Sequence, residues 1–181
     1  MKPREARQHP NRPLSVRAAP EPAVAFQGVT IQREALAPIA KEIMPLFRRH
    51  HDELAVDPKR APLDVDWDLY LDLNLLGQLQ ILMVRANGAL VGYIFNVIRP
   101  NPHKKSTRWC LVDMYWLDPI YRAGLIGYKL LRENEAFLKR IGIKKIAIGH
   151  KLHFRDGRVG KLFDRLGYTA EDVYYGKWIG D

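Results

Sequence analysis

The sequence predicts one α/β domain built on a mixed sheet, and three observations carry that prediction. Residues 79–85, Asn87-Gly88 and residues 90–98 read as strand, tight turn and strand, because Asn-Gly best fits the two positive φ angles of a type I′ turn. At Gly127 the spacing of apolar residues changes from period two to about 3.6, and Leu130, Leu131, Asn134, Phe137, Leu138 and Ile141 fall on one stripe. Residues 143–148 then form a short β-branched run bounded by glycines, so strand, crossover helix and strand make a βαβ unit with parallel or splayed neighbours.

The remaining elements follow in chain order. Val24-Ala25-Phe26 and Val29-Thr30-Ile31 read as a first strand or ribbon. Residues 36–54 read as a helix burying Ile39, Ile43, Leu46, Phe47 and Leu54, with Pro45 expected to kink or split it. Residues 65–76 read as a second helix burying Leu69, Leu73 and Leu76, while Asp64, Asp66, Asp68 and Asp72 supply acid for capping or for a cationic substrate. Pro100, Asn101 and Pro102 break the ladder before a basic loop, His103-Lys104-Lys105, and a long strand over 108–117. Gly142 suits a helix C-terminus. A last helix is predicted over 156–166 and a last strand over 173–179. The expected total is six to seven strands, an antiparallel meander followed by the βαβ unit, with about four helices.

Bulk properties narrow the class. A chain of 181 residues suits one domain, and 47% hydrophobic with 27% charged residues is the balance of a globular protein. No apolar run nears the roughly 20 residues of a membrane span, so no membrane partner is expected. Cys110 is the single cysteine, which excludes an internal disulfide and fits a reducing cytoplasm. The net charge of +9 favours anionic ligands. Residues 1–22 mix Lys2, Arg4, Arg7, Arg12 and Arg17 with five prolines and read as a flexible basic arm, leaving 23–181 as the domain. Those prolines oppose the amphipathic helix of a transit peptide. Elsewhere Lys and Arg are spread along the chain without interleaved aromatics, so nucleic acid is not expected as a partner. Paired ligand spacing is absent from His50-His51 and from His150 and His153, and no metal is expected.

The segment with the strongest chemical signal is Tyr121-Arg122-Ala123-Gly124-Leu125-Ile126-Gly127, between a strand and a helix. Exposed amides and the helix dipole favour a phosphate there, glycines admit close approach, and Arg122 adds charge. Glycines needed only for a tight turn and close packing are the plainer alternative.

Beyond that loop, the chain resembles the GNAT superfamily of N-acetyltransferases over most of its length after the arm. Leu117-Asp118-Pro119-Ile120-Tyr121-Arg122, Ile126-Gly127 and Leu130-Leu131 resemble the family's strand, pyrophosphate loop and helix. Leu162-Phe163-Asp164-Arg165-Leu166-Gly167-Tyr168 resembles its last helix. The resemblance implies an acetyl-CoA-dependent N-acetyltransferase acting by direct attack of an amine in a ternary complex, as monomer or homodimer, on a small-molecule or protein acceptor. It implies acyl-CoA between splayed strands, its pantetheine arm beside Tyr115, Trp116 and Leu117 and its pyrophosphate on Arg122, Ala123, Gly124, Leu125, Ile126 and Gly127, with Asp156 a further candidate contact. Two residues depart from the pattern: Leu125 stands where the family has its first glycine, and Phe163 where many members have a proton-donating tyrosine. A GNAT-like module that has lost catalysis and acts in binding or regulation, by contact with nucleic acid or protein, is the alternative.

Catalysis needs a proton acceptor for the ammonium. Asp113 is the candidate, since it sits mid-strand among apolar residues, where an unpaired carboxylate would cost several kcal/mol; a structural ion pair is the competing role. Tyr174 and Tyr175 are candidate proton donors to the departing thiolate, or packing residues of the final strand. His150, Lys151 and His153 follow the second parallel strand as surface residues or phosphate contacts, and Cys110 is expected in the core.

Overall fold

A computed structural model describes residues 22–152 and 157–179. The chain divides into two compact units, Met1–Gly149 and His150–Asp181.

The first unit holds a six-stranded sheet in sequential order: β1 (Val24–Phe26), β2 (Val29–Arg33), β3 (Leu79–Ala86), β4 (Ala89–Arg99), β5 (Trp109–Leu117) and β6 (Lys145–Ala147). All neighbours are antiparallel except β5 and β6, which are parallel because helix α3 (Ile126–Arg140) crosses between them. Asn87 (φ 47°) and Gly88 (φ 84°) turn β3 into β4 with two positive φ angles. Two further helices, α1 (Leu36–Leu54) and α2 (Trp67–Leu75), precede β3.

Alternation along the strands sends side chains to two cores. Leu79, Ile81, Met83, Tyr93 and Phe95 pack with Leu36, Ile39, Ile43 and Phe47 of α1. On the opposite face, Asn96 of β4 meets Asn134 of α3 through a reciprocal pair of amide bonds, 2.8 and 3.0 Å, both residues being at most 1% exposed. Asn96 also donates to the Gln80 carbonyl at 3.1 Å. A buried pair of this kind is stable only because nearly every polar atom has a partner. Helix α3 ends where Gly142 (φ 83°) lets its amide reach the Lys139 carbonyl and the Ile143 amide reach that of Leu138.

Two expectations are corrected here. Helix α1 is not split at Pro45 but continuous over its 19 residues. Helix α2 buries no residue fully: Leu69 and Leu76 are 54% and 48% exposed, and the helix instead lays Trp67, Tyr70, Leu71 and Leu73 against the α1 core. Aromatic contact decides its rotation, since Trp67 stacks on Phe47 and Tyr70 meets Phe95 edge-on. Asp66 caps this helix, accepting from the Leu69 amide at 2.9 Å.

The second unit contains α4 (Arg158–Leu166), which starts two residues after the predicted 156. Residues 173–179 form no strand, contrary to expectation; Tyr174 and Tyr175 are 88% and 94% exposed there. A strand needs a ladder partner, and an aromatic-rich sequence alone does not provide one. Asp156, His153 and residues 1–21 of the arm lie outside the described residues. Among the described residues, no helix is long and apolar enough to cross a membrane.

Candidate active site

The site begins with a defect in a strand. Phe95 pairs with Met114 but Asn96 pairs with Val112, so Asp113 is the extra residue of a β-bulge in β5. The bulge reverses the alternation: Met114 and Trp116 face α1, whereas Cys110 and Val112 pair with the opposite face, the Cys110 thiol lying 3.6 Å from Asn96 Oδ1. It also removes Asp113 from the core. The expected buried carboxylate is exposed, and Tyr70 of α2 donates to its Oδ2 at 2.6 Å. Burial first, then the bond to Asp113, raises the Tyr70 phenol above its ordinary value, so it remains a donor.

Bulges bend a strand and increase its twist, and β6 parts from β5 beside this one. Pairing covers only Trp109 to Leu111 against Lys145 to Ala147, while β5 runs on to Leu117. The edge of β5 beyond Leu111 therefore has no ladder partner in β6. The Asp118 amide bonds the Val91 carbonyl at 2.8 Å, so by alternation Met114 and Trp116 point their backbone polar groups to β4, and Tyr115 and Leu117 point theirs to the opened edge. The Tyr115 hydroxyl donates to the Gly149 carbonyl at 2.9 Å across the mouth of the opening.

After Leu117 the chain makes a short 3-10 turn, Pro119–Tyr121, capped by Asp118, and enters α3. Gly124 has φ 84°, a region closed to most side chains. Leu125 follows at φ −110° and ψ 4°, which leucine tolerates, and its side chain is 55% exposed instead of filling the turn. The positive-φ position thus sits one residue before the place where a glycine was expected. The Lys129 amide makes the first intrahelical bond, to the Leu125 carbonyl at 2.8 Å. The amides of Leu125, Ile126, Gly127 and Tyr128 precede that bond and have no acceptor inside the helix, the arrangement that suits an oxyanion.

Arg122 is not aimed at those amides. Its Nε donates to the Leu117 carbonyl at 2.7 Å, and its two terminal nitrogens grip Glu53 of α1 at 2.5 and 2.7 Å. Glu53 also accepts from Trp116 Nε1 at 2.8 Å. The Arg122 bonds, helped by the Trp116 indole and opposed by partial burial, hold the Glu53 carboxyl below its ordinary value. Arg49 lies 4.9 Å over the Trp116 ring and donates to Asp118 at 2.7 Å. Partial burial works to raise the Asp118 carboxyl, but bonds from Arg49 and the Ile120 amide outweigh it and the net direction is down. His50 Nδ1 shares a 2.7 Å hydrogen bond with the buried Tyr93 hydroxyl.

The structure thus brings Asp113, Tyr115, Trp116, Leu117 and the loop from Arg122 to Gly127 onto one unit. Glu53, Tyr70, Arg49 and His50 were missed by sequence reasoning, because their partners lie far along the chain and no spacing rule links them. Cys110 is buried with its thiol pushed up to about 12 by burial, in keeping with a core residue. In the second unit the Phe163 ring packs 6.0 Å from His150 and 5.5 Å from Tyr168.

Residues 41–168 match the model of the acetyltransferase (GNAT) family. No curated protein matches the sequence. Among solved structures, a ribosomal-protein-alanine N-acetyltransferase from Brucella melitensis biovar Abortus 2308 is similar, with TM-score 0.61 and 22% identity over 84% of this chain and 99% of that one. An aminoglycoside acetyltransferase, meta-AAC0020, from an uncultured soil metagenomic sample has TM-score 0.65 and 15% identity over 84% and 96%. A predicted acetyltransferase with acetyl-CoA from Clostridium acetobutylicum has TM-score 0.60 and 14% identity over 83% and 96%.

Proposed function

The chain belongs to the acetyltransferase (GNAT) family, and on that premise we propose that it is an N-acetyltransferase that moves the acetyl group of acetyl-CoA directly to an amine within one ternary complex. The observation that carries this reading is the conjunction, at one end of β5, of a strand edge that β6 no longer follows and a turn lined by four helix-entry amides. The edge suits an extended amide-bearing arm and the turn suits a diphosphate, which is the chemistry of the cosubstrate. Acetyl-CoA supplies an activated thioester carbonyl.

The residues then take the following roles. The β5 segment Tyr115, Trp116 and Leu117 lies along the pantetheine arm, with Tyr115 and Leu117 turning their backbone toward it and Trp116 turning its own to β4. Ala123, Gly124, Leu125, Ile126 and Gly127 offer amides to the pyrophosphate, and Arg122 acts by fastening this loop to Glu53. Asp113 accepts a proton from the incoming ammonium at Oδ1 or Oδ2, and Tyr70 orients its carboxylate. Tyr174 and Tyr175 keep the role of proton donors to the departing thiolate, and Asp156 that of a further cosubstrate contact. Thiolate is a tolerable leaving group, so the phenylalanine at position 163 does not preclude transfer. The acceptor is an amine on a small molecule or a protein; similar structures bear names of both kinds.

Calorimetric titration with acetyl-CoA, paired with a thiol-release assay on a panel of amines and peptides, tests the proposal. Micromolar binding with amine-dependent thiol release is the expected result. Absence of acetyl-CoA binding would overturn it in favour of a module without catalysis.

A further inference from the structure

The fold gathers positive charge at the end of the sheet opposite the amide-lined turn. Residues 99–109 contain Arg99, Lys104, Lys105 and Arg108 and no acid. Residues 139–145 contain Lys139, Arg140, Lys144 and Lys145 and no acid. Along the chain these stretches are separated by β5, the turn and most of α3. In space they abut: the Lys144 and Lys145 amides reach the Arg108 carbonyl at 2.9 and 3.4 Å, and Arg108 Nη1 donates to the Ile141 carbonyl at 2.8 Å. Lys104 and Lys145 both approach the Trp109 ring, at 5.3 and 5.8 Å. Arg99, Lys104, Lys105, Lys139, Arg140 and Lys144 are exposed. Glu135 lies beside Lys139 and Lys144, and Arg132 engages its carboxylate at 2.8 Å.

We propose that this end of the domain is a docking surface for the phosphodiester backbone of nucleic acid. Strand pairing joins two basic stretches that lie far apart in the sequence. Eight cations stand here in a chain whose whole net charge is +9. The α3 C-terminus accounts for Lys139 and Arg140 in its last turn and for Arg108, which donates to the Ile141 carbonyl, but not for the other five. The phosphates of the proposed cosubstrate do not account for them either, since the nine residues of β5 set the patch roughly 26 Å from the turn at about 3.3 Å per residue.

One sign of charge, uninterrupted over both stretches, selects a partner that is itself uniformly anionic. A protein surface mixes signs, and its complement would mix them too. A membrane would be met with inserted apolar groups as well, yet among the described residues none of the large exposed apolar side chains falls within 99–109 or 139–145. The stretches are a loop and a helix end with no projecting helix to enter a groove, so contact is with backbone phosphates and carries little sequence preference.

The test uses the full chain, with fluorescence anisotropy against an RNA hairpin and a DNA duplex of matched length between 50 and 200 mM salt. Binding that weakens log-linearly with salt is expected. Lys104→Gln/Lys105→Gln/Lys144→Gln is expected to lose tenfold or more at 100 mM and to flatten the salt slope by about 2.7. Its thermal midpoint and acetyl-CoA affinity are expected to match the parent, and the corresponding triple arginine variant to bind as the parent does. Tighter binding of either nucleic acid supports the proposal and identifies which it is. Undiminished binding by the triple glutamine variant, or equal binding of polyglutamate or anionic vesicles at the same salt, overturns it.

Discussion

Arg122 and Glu53 are joined by two hydrogen bonds, 2.5 and 2.7 Å long, that tie the loop before α3 to the end of α1. A fork of this geometry fixes orientation as well as distance, which a lysine cannot reproduce. Because Arg122 Nε also holds the Leu117 carbonyl, one side chain sets the loop against both the strand edge and the helix.

Glu53→Gln is therefore expected to weaken acetyl-CoA binding about tenfold, equivalent to about 1.4 kcal/mol, by freeing the loop. Calorimetry on the parent, Glu53→Gln and Arg122→Lys measures this. Unchanged affinity in both variants would remove the clamp from the account.

Leu125→Asp tests the amides directly. An acid at a helix N-terminus suits the dipole, so the thermal midpoint should not fall, yet the added charge should weaken acetyl-CoA binding at least tenfold. Leu125→Gly should change affinity less than threefold, because the leucine side chain already stands in solvent and Gly124 already supplies the positive φ.

Asp113→Asn is expected to lower kcat a hundredfold or more while acetyl-CoA affinity holds, as loss of a general base does. Tyr70→Phe should lower kcat only several-fold. Steady-state kinetics at saturating cosubstrate separates the two; equal effects would mean that Asp113 serves only to anchor α2.

Acid should destabilise the fold through its paired carboxylates. Arg85 grips Glu34 at 2.7 Å through both Nε and Nη2, and Glu42 at 2.7 and 2.8 Å. Burial works to raise Glu34, but bonds from Arg85 and Gln32 outweigh it and the net direction is down; Glu42 is lowered chiefly by Arg85. Glu53 and Asp118 are lowered as well. The unfolded chain then binds more protons than the native one around and below pH 4.5. The stability these pairs contribute is present above about pH 5 and lost as pH falls through the native values. Urea midpoints from pH 7 to 3 should fall, and Arg85→Met should flatten the decline.

Asn134→Leu should destabilise by about 2 kcal/mol, since it leaves the buried Asn96 amide without its α3 partner. Denaturant unfolding measures it, and a cost near zero would show that Asn96 finds another partner.

What the sequence alone determined is what local physics determines. Apolar period marks α1 and α3, Asn87-Gly88 forces its turn, and the short run after Gly142 can be reached from β5 only by a crossover helix. The loop from Arg122 to Gly127 is legible for the same reason, since helix-entry amides belong to the turn itself. Only tertiary structure decided that Asp113 is the extra residue of a bulge and exposed, that Arg122 answers to Glu53, that Trp67 and Tyr70 set the rotation of α2, and that residues 173–179 form no strand. It also decided that two modest basic stretches form one patch. Each of these depends on which segments become neighbours, and hydrogen bonds or charges between residues far apart in the chain leave no spacing in the sequence to be read.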